Sequence, residues 1–325
     1  MHLRLLPLVL ALCAGSAQAD LFKDPQWQSW LDAGKTADLV RAAQARAKVQ
    51  PDDDQAAVAL AMAAVDDNDA ARLEASLPAL QACAEKRPQA ICSYALGRVY
   101  GQQAMAASVF RMPGLASKTK EHFAQAVEQD PLLFEARSAL AQFYLIAPGF
   151  AGGSAAKARA LATEARQPDQ ARLVRFLVAA QDKDWAGAER ELAGIKAGED
   201  RTLQRELRNG WMRLGAELVE QKSLAKAKAV FETVQRDNPQ HAAGPYGLAR
   251  VALESQQPDE ALRLLERCRA LEGADRYPLD HRAGQALIAK GDKVGARAAL
   301  ERFVQNKRAS PRNLEDAKKL LASLA

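Results

Sequence analysis

The sequence predicts an all-α chain built as a solenoid of paired helices, and three observations carry that prediction. Apolar residues recur at three- and four-residue intervals over most of the 325 residues, which is the period of one helical face. Small residues recur at a much longer period: Ala261 follows Ala227 by 34 residues and Ala296 follows Ala261 by 35. Aromatic residues make up only 6% of a chain that is 48% hydrophobic, and alanine is abundant. Such a composition suits close helix–helix packing better than a β-rich core. A repeat of this length marks stacked supersecondary units, each unable to bury its apolar face alone. About six or seven helix pairs are expected, filling one domain over residues 20–325.

The first segment, MHLRLLPLVLALCAGSAQAD, reads as a secretory leader. His2 and Arg4 supply the polar start, Leu5 to Leu12 the apolar run, and Ala17-Gln18-Ala19 the small-residue cleavage site. Cleavage after residue 19 would leave a chain starting at Asp20 in the periplasm. The apolar run is too short to span a bilayer, and no later stretch approaches that length. Leu12 stands where a lipoprotein leader carries a small residue before its cysteine, which argues against lipid attachment at Cys13.

Residues 20–90 hold weakly marked helix pairs. Cys83 and Cys92 bound the stretch CAEKRPQAIC, with Pro88 in the turn between them. An exported chain permits a disulfide there, worth roughly 2–3 kcal/mol through loop closure. The alternative is two small buried residues at a helix–helix contact. Cys268, in ALRLLERCRAL, sits at core spacing and reads as a buried, inert thiol.

ALGRVYG (95–101) and SALAQFY (138–144) carry the small-residue face of a first helix, and HFAQAVEQDP (122–131) a second helix with its stop. Between them, residues 102–118 read as a widened turn about ten residues longer than usual. FYLIAPGFAGGSAAKARAL (143–161) has the outline of a phosphate-binding loop. Such a loop requires Gly, four residues, then Gly-Lys-Ser/Thr after a β-strand. Here Gly153 precedes Ser154, Lys157 comes too late, and no strand leads in. The stretch is therefore a second widened turn, five residues longer than its counterpart between Gly215 and Ala227, with Ser154 capping the helix that follows.

The clearest repeat is RNGWMRLGAELVEQKSLAKAKAVFETVQRDNPQ (208–240), and we set its bounds at 208–241. Trp211, Leu214, Leu218 and Val219 form one stripe, and Phe231 and Val234 form that of the second helix. Gly215 and Ala227 let the two helices approach closely. Asn238-Pro239 ends the unit, because proline cannot continue the hydrogen-bond ladder. The order Trp-x2-Leu-Gly-x2-Leu, then Ala-x3-Phe, then Pro resembles the tetratricopeptide repeat, with Leu218 where the pattern has Tyr.

That resemblance implies a right-handed α-solenoid whose first helices line a concave groove for peptides or partner helices. The residues it would place on the inner face come in pairs one helical turn apart: Tyr94 and Arg98, Ser138 and Gln142, Met212 and Ala216, Tyr246 and Arg250, His281 and Gln285. Tyr, Arg and Met are types that interfaces favour. Tyr246 with Arg250 is the pair expected to carry partner binding. The alternative is that all are simply the solvated inner face of a solenoid.

No catalytic constellation is present, so no enzyme is expected. The histidines at 2, 122, 241 and 281 have no metal-ligand spacing. DDNDA (66–70) lacks the glycine and glutamate of a calcium loop, and no cofactor or metal is expected. The net charge of +5 is mild, with signs alternating along the helices, so no nucleic-acid partner is expected. The expected function is a periplasmic scaffold or adaptor for a protein or peptide, in envelope assembly or secretion. The alternative is a ligand-binding component associated with a solute transporter, its solute held by the widened turns.

Overall fold

A computed structural model describes residues 21–87, 89–306 and 308–324. The expected leader, Pro88 between the two cysteines, and residues 307 and 325 lie outside them. The described residues form seventeen α-helices, with no β-ladder beyond one isolated bridge between His241 and Glu272. Sixteen of them pair in sequence. The pairs are α1 (Pro25–Ala33) with α2 (Thr36–Val49), α3 (Asp54–Asp67) with α4 (Ala70–Lys86), α5 (Ala90–Ala106) with α6 (Met112–Gln129), and α7 (Phe134–Ile146) with α8 (Ala155–Thr163). There follow α9 (Pro168–Gln181) with α10 (Trp185–Ala193), α11 (Arg201–Glu220) with α12 (Leu224–Asp237), α13 (Ala243–Glu254) with α14 (Pro258–Arg269), and α15 (Leu279–Ala289) with α16 (Lys293–Val304). A final helix, α17 (Pro311–Ser323), covers the end of the stack. Eight pairs and a cap replace the six or seven expected, because α1, α8 and α10 have only nine residues each and too few turns to print a clear stripe.

The 3.6-residue pattern is realised as each pair packs on the next. Phe231 of α12 is fully buried and shows why glycine stands at two positions. A Cβ on Gly215 would lie 2.5 Å from its ring, and one on Gly247 of α13 would lie 2.1 Å from it. The ring is clasped between the first helices of consecutive repeats, so the motif glycine is needed for close approach rather than for flexibility. Cys268 is fully buried in the next layer, and burial pushes its thiol up to about 12, as an inert core residue should be. Cys83 ends α4's buried face and Cys92 lies one turn into α5. Their Cα atoms are 6.1 Å apart and their sulfurs are joined. The Asp54 carboxylate lies close to both sulfurs, but sulfurs bonded to each other offer no thiolate to a metal.

The second widened turn stands as the sequence suggests: residues 147–154 link α7 to α8 through a 3-10 turn, Gly149–Ala151, and Ser154 accepts the Lys157 N–H at 3.3 Å to cap α8. The other needs correction. Residues 102–118 are not a loop: α5 runs on to Ala106 and α6 starts at Met112, leaving only 107–111 as turn. Gln102 to Ala106 are adequate helix formers, and Pro113 falls in the first turn of α6, where its missing N–H costs nothing.

Gly215→Leu should overpack the Phe231 contact and lower stability by about 1–3 kcal/mol. Chemical denaturation measures this, and an unchanged midpoint would mean that the two helices do not touch there.

Candidate functional site

The stack curls until its last repeats meet its first. Two arginines from inter-helix connections make the meeting. Arg276 follows from the 3-10 turn after α14. Its Nε donates to the Asp32 carbonyl at 2.6 Å, its Nη2 to the Leu31 carbonyl, and its Nη1 to the Asp66 carboxylate at 3.0 Å. Arg308, between α16 and α17, donates to the Gly34 carbonyl at 2.9 Å, to Asp67 at 2.6 Å and to the Thr36 hydroxyl. Both grip the C-terminal end of α1, where helix carbonyls lack partners and the macrodipole favours cations. Gly34 closes α1 in the left-handed region at φ 76°. A Cβ there would make only ordinary contacts with Arg308 at 3.4 Å and Arg276 at 3.5 Å, so it is the turn that requires glycine. Burial alone would raise the Asp67 carboxyl, but hydrogen bonds from Arg72, Thr36 and Arg308 hold it below its usual range.

α11 crosses the interior of this ring. Arg205 donates from Nη1 to Asp32 of α1 at 3.0 Å, from Nη2 to Glu135 of α7 at 3.2 Å, and from Nε to its neighbour Glu206 at 3.0 Å. Thr202 also donates to Glu135 at 3.2 Å. Three carboxylates hold Arg205 well above its ordinary range despite its burial.

The result is a half-open cavity of about 260 Å³ lined largely by the first helices of several repeats, with Arg98, Arg205, Arg208 and Arg276 facing Asp32, Asp66, Glu135 and Glu206. The charges balance in number but not in pairing. Arg205 takes three carboxylates and Arg276 one. Arg98 donates to the Tyr94 hydroxyl at 2.8 Å and lies over its ring. Arg208 reaches Asn238 at 3.3 Å, while its Nε has no partner. Two arginines therefore face the cavity with no carboxylate of their own among the described residues. Two buried acceptors, Gln28 Oε1 and Glu135 Oε2, are also without a donor. Burial outweighs the Arg205 contact and raises the Glu135 carboxyl. Unmet buried atoms also occur away from the cavity among the described residues, at Arg72, Gln170 and Gln235 for example, so the two arginines are the distinguishing feature of its lining.

His241 borders the same cavity. Its Nδ1 accepts the Ala243 N–H at 3.1 Å, which places the ring proton on Nε2. Burial, followed by the charges of Arg208 and Arg276, pushes its pKa down to about 4.

The residues expected on the inner face divide into two groups. Tyr94, Arg98, Ser138 and Gln142 line the cavity, with Gln142 donating to the Ser138 hydroxyl at 3.1 Å. The C-terminal ones do not. Tyr246 is 7% exposed and stacks on Tyr277 at 4.5 Å, because the connection after α14 folds back over α13. Arg250 bonds Glu220 at 3.3 Å, and Met212 is half-buried between repeats. His281 is 1% exposed, stacked on Phe303 and 2.7 Å from Asp316 of α17, which Gln285 also reaches at 3.1 Å. The pair Tyr246 and Arg250 is thus not projected into an open groove: Tyr246 belongs to the core.

Sequence reasoning missed Asp32, Glu135, Arg205, Arg208, Arg276 and Arg308. A signal for some was available. Stepping back from Met212 by helical intervals reaches Arg208 and Arg205, and stepping back from Ser138 reaches Glu135. The inner-face pairs start at Ser138 and Met212 and run toward the C-terminus only, so the stripe is not followed back into the earlier turns of α7 and α11.

Residues 218–277 match the family model of the tetratricopeptide repeat. Among solved structures, the chain is similar to a tetratricopeptide repeat protein from Parabacteroides merdae. The two are 17% identical with a TM-score of 0.50, over 80% of this chain and 94% of that one. It is also similar to a chain of the APC/C hetero-tetramer Cut9–Hcn1, at 14% identity and a TM-score of 0.47; the match covers 92% of this chain but only 54% of the other, about half its length. A third likeness is to pilF of Pseudomonas aeruginosa, at 16% identity and a TM-score of 0.43, over 69% and 97% of the two chains. No curated protein matches the sequence. The fold is a tetratricopeptide-type α-solenoid. No helix among the described residues is long and apolar enough to cross a membrane.

Because His241 is held below its ordinary pKa, the stability it supports is present above about pH 6.5 and is lost as pH falls toward the folded value of about 4. Urea unfolding should show a loss on the order of 3 kcal/mol between those limits, and His241→Asn, which keeps an acceptor near Nδ1, should remove most of that slope. Equal slopes in wild type and variant would contradict the burial of a neutral imidazole.

Proposed function

We propose that residues 20–325 act as one periplasmic scaffold that holds an extended segment of a protein or peptide partner, in envelope assembly or secretion. The observation that carries this reading is the pair of guanidinium groups, Arg98 and Arg208, that line the cavity without a carboxylate of their own among the described residues. A carboxylate, from a side chain or a chain end, offers the two guanidinium groups a charge-assisted partner. Export rests on the leader, and the scaffold role on the repeat architecture.

A second reading, a solute-binding component beside a transporter, has the partial enclosure of the cavity in its favour. It expected the widened turns to line the cavity, and they do not.

The test is capture from periplasmic extract with immobilised protein. Arg98→Met with Arg208→Met should weaken capture about thirtyfold, the loss of one 2 kcal/mol hot spot, with helical circular dichroism unchanged. Capture at wild-type strength by the folded variant would remove the cavity as the binding site.

A further inference from the structure

A second surface lies outside the cavity, at the edge where each first helix turns into its partner. Six of the eight such turns are two or three residues long and polar or small in their central residues. The two exceptions are neighbours: residues 107–111 between α5 and α6, and 147–154 between α7 and α8. Five of the seven large hydrophobic residues that stand exposed among the described residues lie in or beside these turns. They are Met105, Val109, Phe110, Ile146 and Phe150, with Phe110 91% and Phe150 79% exposed. The folded core does not bury these five side chains.

Both turns adjoin α6, since residues 107–111 lead into it. The 3-10 turn Gly149–Ala151 packs on α6, and the side chain of Lys120 of α6 lies against Gly152, within 3.3 Å of where a Cβ would stand. Basic residues predominate along the two segments, although Glu74 accepts from Gln103 beside the end of α5 and Glu121 follows Lys120. No acidic residue occurs from Lys86 to Lys120, nor from Ala136 to Thr163. Arg111, Lys118, Lys120 and Lys157 stand in or directly behind the tips, while Arg159 is already paired with Asp182. The Lys118 ammonium lies over the Tyr100 ring and that of Lys157 over the Tyr144 ring, so each cation is held at this edge by an aromatic face.

We propose that this edge docks on an anionic phospholipid surface, with Phe110 and Phe150 entering the headgroup–acyl boundary and the lysines and arginine meeting lipid phosphates. The chemistry fits a bilayer better than a folded protein partner. The apolar residues are few, projecting and placed on turns, so they suit shallow insertion into a fluid medium. The basic collar suits a surface that is negative everywhere rather than at a matched point. Aromatic wedges and juxtaposed basic residues are the two signals whose combination gives stable peripheral attachment. The surface is separate from the cavity and does not depend on what fills it.

The experiment is co-sedimentation with vesicles of phosphatidylglycerol mixed with phosphatidylcholine, and with phosphatidylcholine alone. Wild type should sediment with the former, weaken as salt screens the collar, and bind the latter poorly. Phe110→Ser with Phe150→Ser should weaken binding to anionic vesicles by about tenfold or more, from lost burial of two aromatic rings. Lys118→Glu with Lys120→Glu should do the same. Both pairs are exposed or partly exposed, and circular dichroism confirms that each variant is folded. The proposal is overturned if wild type ignores anionic vesicles, or if the serine variant binds them as tightly as wild type, which would reduce the contact to nonspecific charge attraction.

Discussion

The grip of Arg276 and Arg308 on the end of α1 is the contact on which the rest of the structure depends. A solenoid is ordinarily a one-dimensional stack in which each repeat touches only its neighbours. Such a stack has a concave face but no enclosed site. Here two guanidinium groups, each more than 200 residues along the chain from their acceptors, tie the last repeats to the first. Each hydrogen bond to a charged group is worth about 1.5–3 kcal/mol when well shielded, and less here because the arginines are partly exposed. Several acting together on one helix end suffice to set a ring against an open arc. The acceptors are backbone carbonyls as well as carboxylates, so the contact depends on how α1 ends and on the left-handed glycine that ends it.

Closure turns a groove into a cavity and changes what the inner residues do. Arg205 becomes a strut between α1, α7 and its own helix, with three carboxylates around it. What is left over is two guanidinium groups, those of Arg98 and Arg208, that line the cavity without a carboxylate of their own among the described residues. They are the part of the lining on which the proposed function rests. The apolar, basic edge formed by the two long turns is the complementary case. There the surplus is hydrophobic area that the fold does not bury.

Much of the fold was legible because it is local. The periodicity of Trp211, Leu214 and Leu218, the small residues at Gly215 and Ala227, and the stop at Asn238-Pro239 each act within one repeat, and the structure uses each as the spacing suggests. The number of pairs was less legible, because nine-residue helices such as α1 and α10 show barely two turns of pattern. The limits of the turn after α5 were obscured because a run of glutamine, alanine and methionine continues a helix without marking its face. The site was legible only where it follows the helical period. Tyr94, Arg98, Ser138 and Gln142 continue a stripe and reach the cavity. Tyr246 and His281 occupy the equivalent positions in later repeats, yet the chain after α14 and the capping helix α17 cover them. Nothing local to Arg276 or Arg308 indicates their destinations, since closure is a property of the summed curvature of all the repeats.

The central claim is that the molecule is a closed ring held by these two arginines, and a distance measurement tests it directly. Spin labels at Lys35→Cys and Gln305→Cys flank the junction on exposed positions, while Cys268 is buried. Pulsed electron resonance should give one short, narrow distance distribution in the otherwise native chain, and a longer, broader one once Arg276→Ala and Arg308→Ala are introduced. A broad distribution in the native chain, or an unchanged narrow one in the double variant, would contradict the account.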